Sequence, residues 1–390
     1  MKNPTRIQHQ PPPSLVEGNE PLVMPIYQSV KFELESLRET ENAWAGRGGY
    51  HYSRCANPTV RALEEVLAAL QGQEDAVVVG SGLAAVAVTL LALLSQGDHV
   101  VGFAETYGPT RGLFTHTLTR FGITHNLVSI DDLKAFEQAL QARPTQLVWF
   151  ESPTNPANKV ADIKAITRLA KQYGALTVID NTFAGIEAHQ EFAIDLYVHS
   201  LTKSVAGHGD VMGGAVLGCQ ALVDKVRTQA IALGPVMDPH TAFLVHRGLK
   251  SYKVRRRAAC ENALAVALAL AADPRVARVR YPGLQSDPGH RLACQQMPDF
   301  GSVITIDLKG DAEASQVFAD HLELFSQVAS LGSTESLIVS GPLMRPQGLT
   351  EQQRVIADIH PTSHRLSIGL EDADDLIEDL KRALTQALGA

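Results

Sequence analysis

The chain is poor in cysteine. Four occur among 390 residues, Cys55, Cys219, Cys260 and Cys294, and no two form a CxxC pair. That sparseness excludes a secreted disulfide scaffold and a zinc ribbon, and fits free thiols in a reducing cytoplasm. A basic nucleic-acid footprint is also missing. The formal net charge is −8, and the short run Arg255-Arg256-Arg257 lies in a helical pattern that reads as a solvated helix face. No apolar run has membrane-spanning length, because the longest, residues 77–94, is broken by Gly80-Ser81-Gly82. The first 20 residues have no apolar h-region and are rich in Pro and Gln, so no signal peptide is expected. Pro11-Pro12-Pro13 points to an extended arm. The histidines lack metal-ligand spacing, which predicts no catalytic metal. Internal repeats and long low-complexity tracts are absent as well.

What is present is a long chain that is 45% hydrophobic, enough for a large domain and a smaller one. Val77-Val78-Val79 reads as a buried strand, Gly80-Ser81-Gly82 as a tight turn, and residues 83–94 as a helix. Further strands are predicted at residues 99–103 and 146–150, and in runs ending at Asp180 and Ser200; helices are predicted over 107–118 and 163–173. This alternation implies an α/β fold with a mostly parallel sheet covered on both faces. Its ligand should lie off the carboxyl ends of the strands. Gly80-Ser81, Tyr107, Asn155, Asp180 and Lys203 all follow predicted strand ends. A long helix over 255–272 leads into a second alternation: a strand at 303–307, a helix at 312–321, a strand at 365–368 and a helix at 374–388. The expected organisation is an arm over 1–55, a large domain over 56–245 and a small C-terminal α+β domain over 246–390.

Lys203 carries the strongest chemical signal. It follows the apolar run Leu196-Tyr197-Val198, and Asp180 closes the preceding run. A strand-end lysine and a strand-end acid suit pyridoxal phosphate, which needs an amine for its Schiff base and a carboxylate for its pyridinium nitrogen. Ser200 and Thr202 flank the lysine with hydroxyls that can hold a phosphate, and Gly207, Gly209, Gly213 and Gly214 permit close backbone approach. The turn at Gly80-Ser81-Gly82 can aim helix N–H groups at an anion.

The order of motifs resembles the Cys/Met-metabolism family of pyridoxal-phosphate enzymes. The resemblance runs from about Pro25 to the C-terminus through Tyr50-His51-Tyr52-Ser53-Arg54, Gly80-Ser81-Gly82-Leu83-Ala84, Tyr107-Gly108, Glu151-Ser152-Pro153-Thr154-Asn155-Pro156, Ile179-Asp180-Asn181-Thr182, the Lys203 segment, Arg247-Gly248-Leu249-Lys250, Ser330-Leu331-Gly332, and Arg365-Leu366-Ser367-Ile368. It implies the fold type I architecture, like aspartate aminotransferase. Lys203 would anchor the cofactor and move protons, Asp180 would pair with the ring nitrogen, and Tyr107 would stack on the ring. Gly82, Leu83, Ser200 and Thr202 would bind the phosphate. Tyr52 and Arg54 would reach that phosphate from a neighbouring subunit, in a homotetramer built as a dimer of dimers with shared sites. Arg365 would clamp the substrate carboxylate, helped by Asn155 and Ser330.

The departures from the family pattern fall where the distal part of the substrate should lie. Ser204 replaces a common aromatic, Gly332-Ser333-Thr334-Glu335 differs from the usual γ-acting loop, and Met344-Arg345-Pro346-Gln347-Gly348-Leu349 replaces another common tract. Tyr107-Gly108-Pro109-Thr110-Arg111 is similar to some β-lyases, whereas Ser53 to Thr59 and Glu335 are closer to the γ-acting branch. The expected reaction is γ-elimination on an L-amino acid with a Cγ leaving group, giving a 2-oxo acid and ammonia. Cystathionine or methionine fits, and polar Ser333, Thr334 and Arg345 also admit the hydroxyguanidine of canavanine. The alternatives are γ-replacement, as in cystathionine γ-synthase or homoserine sulfhydrylase, cystathionine β-lyase activity, and a non-catalytic regulator that only binds the cofactor.

Overall fold

A computed structural model describes residues 18–344 and 349–389. Pro11-Pro12-Pro13, the start of the arm and Arg345 lie outside the described residues. The first sheet has seven strands: β1 (Asp75–Val79), β2 (His99–Phe103), β3 (Thr124–Val128), β4 (Leu147–Glu151), β5 (Leu176–Asp180), β6 (Leu196–Ser200) and β7 (Gly214–Gly218). Their order is β1-β7-β6-β5-β4-β2-β3. Neighbours from β6 through β3 are parallel, and β7 runs antiparallel to both β6 and β1. The connection from β6 to β7, residues 201–213, holds no helix, so the chain returns antiparallel. Lys203 lies in that return.

The strands alternate with period two between two cores. Val78, Val101, Phe103, Val148, Phe150, Ile179 and Tyr197 face one core. Val77, Val79, Val100, Trp149, Val178 and Val198 face the other. Burial on both faces explains why these strands read as nearly continuous apolar runs.

The second sheet contains β8 (Val276–Arg280), β9 (Val303–Leu308), β10 (Ser326–Gln327), β11 (Leu337–Ser340) and β12 (Ser363–Ser367), in the order β10-β11-β12-β9-β8. Its core includes Ala263, Val266 and Leu270, Phe318, and Leu376, Leu380 and Leu384, contributed by three helices. The last of these helices, Ala373–Leu388, is capped by Asp372, whose side chain accepts from the Asp374 N–H. The Tyr252–Ala272 helix, about 30 Å long by its residue count, joins the cores: Tyr252 packs in the first and Ala263 to Leu270 in the third. No helix among the described residues is long and apolar enough to cross a membrane.

Two local expectations are corrected. The helix predicted over 107–118 changes pitch, from α over Gly108–Gly112 to π over Leu113–Thr117 to 3-10 over Leu118–Phe121. The arginine run is not a solvated face. Arg255 is only 9% exposed and donates to the carbonyls of Ser204 (3.0 Å), Val205 (3.3 Å) and Gly248 (2.9 Å). Arg256 pairs with Asp299, and Arg257 alone of the three is exposed. The physical reason is the loop after β6, whose carbonyls lack sheet partners and need donors. Gly207, at φ +76°, makes room: a Cβ there would lie 1.7 Å from Arg255 Nη1.

Arg255→Ala should therefore destabilise the fold by about 2–4 kcal/mol, because it strands several carbonyls and opens a void. Urea unfolding would show this as a lower midpoint, with Arg255→Lys recovering only part of the loss.

Candidate active site

The carboxyl edge of the parallel strands gathers most of the predicted residues. After β1, Ser81 caps the Gly82–Leu93 helix, its side chain accepting from the Ala84 N–H at 3.1 Å. The N–H groups of Gly82 and Leu83 lie in the first turn, where no helical carbonyl can pair with them. A Cβ on Gly82 would stand 2.8 Å from the Ser200 Cβ, so glycine lets this helix end meet the end of β6. The Thr202 hydroxyl is tied to Gly213, accepting from its N–H (3.0 Å) and donating to its carbonyl (3.3 Å). A helix N-terminus beside a serine hydroxyl is suited to a phosphate.

Asp180 closes β5, and its Oδ1 accepts from the Thr182 N–H at 3.1 Å. It forms no ion pair among the described residues, and burial raises its carboxyl above the usual range. A buried carboxylate without a counter-ion fits a cationic N–H donor. Its register partner on β4 is Glu151. Sequence reasoning gave Glu151 no role, although an acid closing an apolar strand was a visible signal. Glu151 is 4% exposed, and burial together with Asp180 pushes its carboxyl well above the usual range. It accepts from the Tyr107 N–H (2.6 Å) and the Asn155 N–H (3.3 Å).

The second sheet supplies the remaining groups. Lys203 Nζ donates to the Ser330 hydroxyl at 3.0 Å. Burial, then the nearby Arg365 charge, lowers the Lys203 amine. Arg365, on β12, is 7% exposed and donates to Asn155 Oδ1 and to the Ser330 carbonyl, each at 2.8 Å. Its Nε is buried without a partner among the described residues, and burial brings its guanidinium down to about 10. It therefore stays charged at neutral pH and keeps donor capacity for a carboxylate. Burial raises the Tyr107 phenol, against the pull of Arg365. Gly332, at φ +73°, brings the Ser330 loop onto the lysine backbone: a Cβ there would lie 2.6 Å from the Ser204 N.

Tyr52 and Arg54 are not brought to this cluster within one chain. Both are exposed; the Arg54 guanidinium carbon lies 5.7 Å from the Tyr52 ring centroid, and Nη1 donates to the Ile231 carbonyl at 2.9 Å.

An anion cradle, an unpaired acid and a lowered lysine amine around one strand edge define a cofactor-dependent enzyme of fold type I. The chain belongs to the Cys/Met metabolism PLP-dependent enzyme family, whose model matches residues 13–385. It is 39% identical over 368 residues to an L-methionine gamma-lyase of Pseudomonas putida, covering 93% of this chain and 92% of that protein. It is 37% identical over 364 residues to a cystathionine beta-lyase of Lactococcus lactis subsp. cremoris (strain MG1363), covering 93% of each. The fold matches the crystal structure of cystathionine gamma synthase from Xanthomonas oryzae pv. oryzae in complex with cystathionine. The TM-score is 0.88 at 36% identity, covering 94% of this chain and 93% of that one. Pyridoxal phosphate is accordingly the cofactor, and the unpaired Asp180 and the cradle at Gly82 fit its two ends.

The raised carboxyls predict a pH dependence for the cofactor-free protein. Asp180 and Glu151 hold protons in the folded chain at pH values where the unfolded chain has lost them. Their contribution to stability is full below the ordinary carboxylate pKa of about 4 and is lost as pH rises through the raised values. Glu151→Gln removes one such group, so thermal melts should show stability falling less steeply with pH than in wild type. Equal slopes would contradict the shift at Glu151.

Proposed function

We propose that the chain catalyses γ-elimination on an L-amino acid with a Cγ leaving group, methionine or cystathionine foremost, releasing a 2-oxo acid and ammonia. The observation that carries this reading is the placement of the Lys203 amine against Ser330, beside a buried arginine with donor capacity to spare. The L-methionine gamma-lyase similarity over nearly the whole chain supports the same reaction. Pyridoxal phosphate, when bound, supplies an electron sink conjugated to the substrate α-carbon. The backbone of Gly82 and Leu83, with Ser200 and Thr202, would hold its phosphate, Asp180 would receive its ring N–H, and Tyr107 would lie against the ring. Arg365 binds the substrate α-carboxylate, steadied by Asn155 and Ser330. Lys203 Nζ takes the proton from Cα and then from Cβ, the step that lets a Cγ substituent leave. Burial and the Arg365 charge lower this amine, which favours the neutral form that accepts protons.

The second reading is γ-replacement, in which an incoming thiol takes the γ-position. The similarity to the cystathionine gamma synthase structure favours it. The β-lyase reading follows the Lactococcus relative.

The assembly we propose is a homotetramer, a dimer of dimers in which Tyr52 and Arg54 complete the phosphate cradle of a neighbour. The exposed apolar side chains of Val23, Val30, Leu37 and Trp44 support a covered arm. We also propose that residues 1–55, 56–245 and 246–390 act as arm, cofactor domain and C-terminal domain, and that the protein is cytoplasmic, in keeping with its free thiols.

A panel of cystathionine, methionine, cysteine, acylated homoserines and canavanine, each with and without a thiol, tests the reaction. Keto acid from one compound without thiol is expected; product that requires both an acyl-homoserine and a thiol would establish the transferase instead. Lys203→Ala should abolish turnover while the protein still folds, and surviving amino-acid consumption would overturn the lysine assignment. Mixed Arg54→Ala and Lys203→Ala subunits should regain activity after exchange, since one hybrid site is intact. No recovery despite proven exchange would contradict the shared site.

A further inference from the structure

Glu151 is a buried side chain that bonds two loops of the site at once. Its two oxygens are divided: Oε1 accepts from the Tyr107 N–H at 2.6 Å, and Oε2 from the Asn155 N–H at 3.3 Å. Tyr107 opens the loop-to-helix junction after β2, and Asn155 lies in the loop after β4. Asp180 stands opposite Glu151 in register, so the two acids share a face of adjacent strands. From Asn155 the chain of contacts continues through Oδ1 to Arg365 Nη1 at 2.8 Å, and from Arg365 to the Ser330 carbonyl at 2.8 Å. Ser330 in turn accepts from Lys203 Nζ at 3.0 Å. Backbone N–H groups in loops have no ladder to hold them, and the two Glu151 oxygens, each accepting from one of them, fix the pair together.

We propose that Glu151 is a positioning residue that fixes Tyr107 and Asn155, and through Asn155 the Arg365 guanidinium, in one geometry about Asp180. The proposal rests on the roles assigned above to Tyr107, Asn155 and Arg365. What the site requires of Glu151 is two acceptor oxygens. Glutamine, nearly identical in shape, offers only one, and its amide N–H would face a backbone N–H at the other position. Glu151→Gln therefore satisfies Tyr107 or Asn155, never both.

Three measurements on the holoenzyme test this. Glu151→Gln should alter the visible circular dichroism of the bound cofactor, because Tyr107 or Asp180 no longer holds the ring as before. It should also raise KM, for whichever amino acid the enzyme consumes, by about tenfold, the effect of one lost hydrogen bond. Far-UV circular dichroism should stay that of wild type. A merely structural role would lower the melting temperature and leave KM and the visible band of the folded protein unchanged, and that result would overturn the proposal. Glu151→Asp keeps both acceptors on a shorter stem and should fall between wild type and Glu151→Ala in both readouts. In the unaltered enzyme, hydrogen exchange should find the Tyr107 and Asn155 amides protected although neither lies within a strand. Rapid exchange at both would overturn the proposal without recourse to any variant. The visible band and the exchange do not depend on which amino acid turns over, so their failure is distinguishable from failure of the lyase reading.

Discussion

Arg365 crosses from the second sheet to the loops of the first, and the site exists only because that crossing holds. Its guanidinium leaves water to bond Asn155 and the Ser330 carbonyl, and it keeps a buried Nε without a partner among the described residues. Removing such a cation from water is costly, so its surroundings must be built to hold it. The neighbouring contacts do this. Asn158 donates to the Val303 carbonyl at 2.7 Å, Thr305 donates to the Pro156 carbonyl at 2.6 Å, and Gln296 engages both Ala161 and Ile163. The loop after β4 is thereby pinned to the second sheet along much of its length. Gly332 then allows the Ser330 loop to lie against the lysine backbone.

Charge is arranged around this seam with opposite signs at opposite ends. Arg365 and the helix N-terminus at Gly82 favour anions, which suits a substrate carboxylate and a cofactor phosphate. Asp180 and Glu151 stand side by side under the strand edge, where burial raises both carboxyls and Asp180 raises Glu151 further. Lys203 lies between these fields, with its amine lowered by burial and by Arg365. Burial and the Arg365 charge thus favour the neutral amine of Lys203 more than water would, while its neighbours offer groups for a cofactor and substrate.

Much of this was legible in the sequence because buried parallel strands announce themselves as apolar runs and functional residues follow their ends. Asp180, Lys203 and Tyr107, expected after strand ends, lie there. Other strands were hidden for physical reasons. β3 is an edge strand of mixed polarity, Thr-His-Asn-Leu-Val, and β7 begins and ends in glycine, so neither shows a buried apolar run of ordinary composition. The arginine run misled because exposure cannot be read from charge: the acceptors of Arg255 are backbone carbonyls far away in the chain. The work of Glu151 is not legible in the sequence, since its partners are backbone amides and its register with Asp180 is a property of the sheet. Tyr52 and Arg54 carried a motif whose purpose one chain does not display.

Removal of protons from both Cα and Cβ, the role proposed for Lys203, is what separates γ-chemistry from β-chemistry. The most direct measurement is proton NMR of L-methionine incubated with the holoenzyme in deuterium oxide, with no thiol present. The account predicts that the Cα and Cβ proton signals of the remaining substrate are both lost to exchange while 2-oxo acid accumulates. Exchange at Cα alone, with the Cβ protons intact, would contradict it.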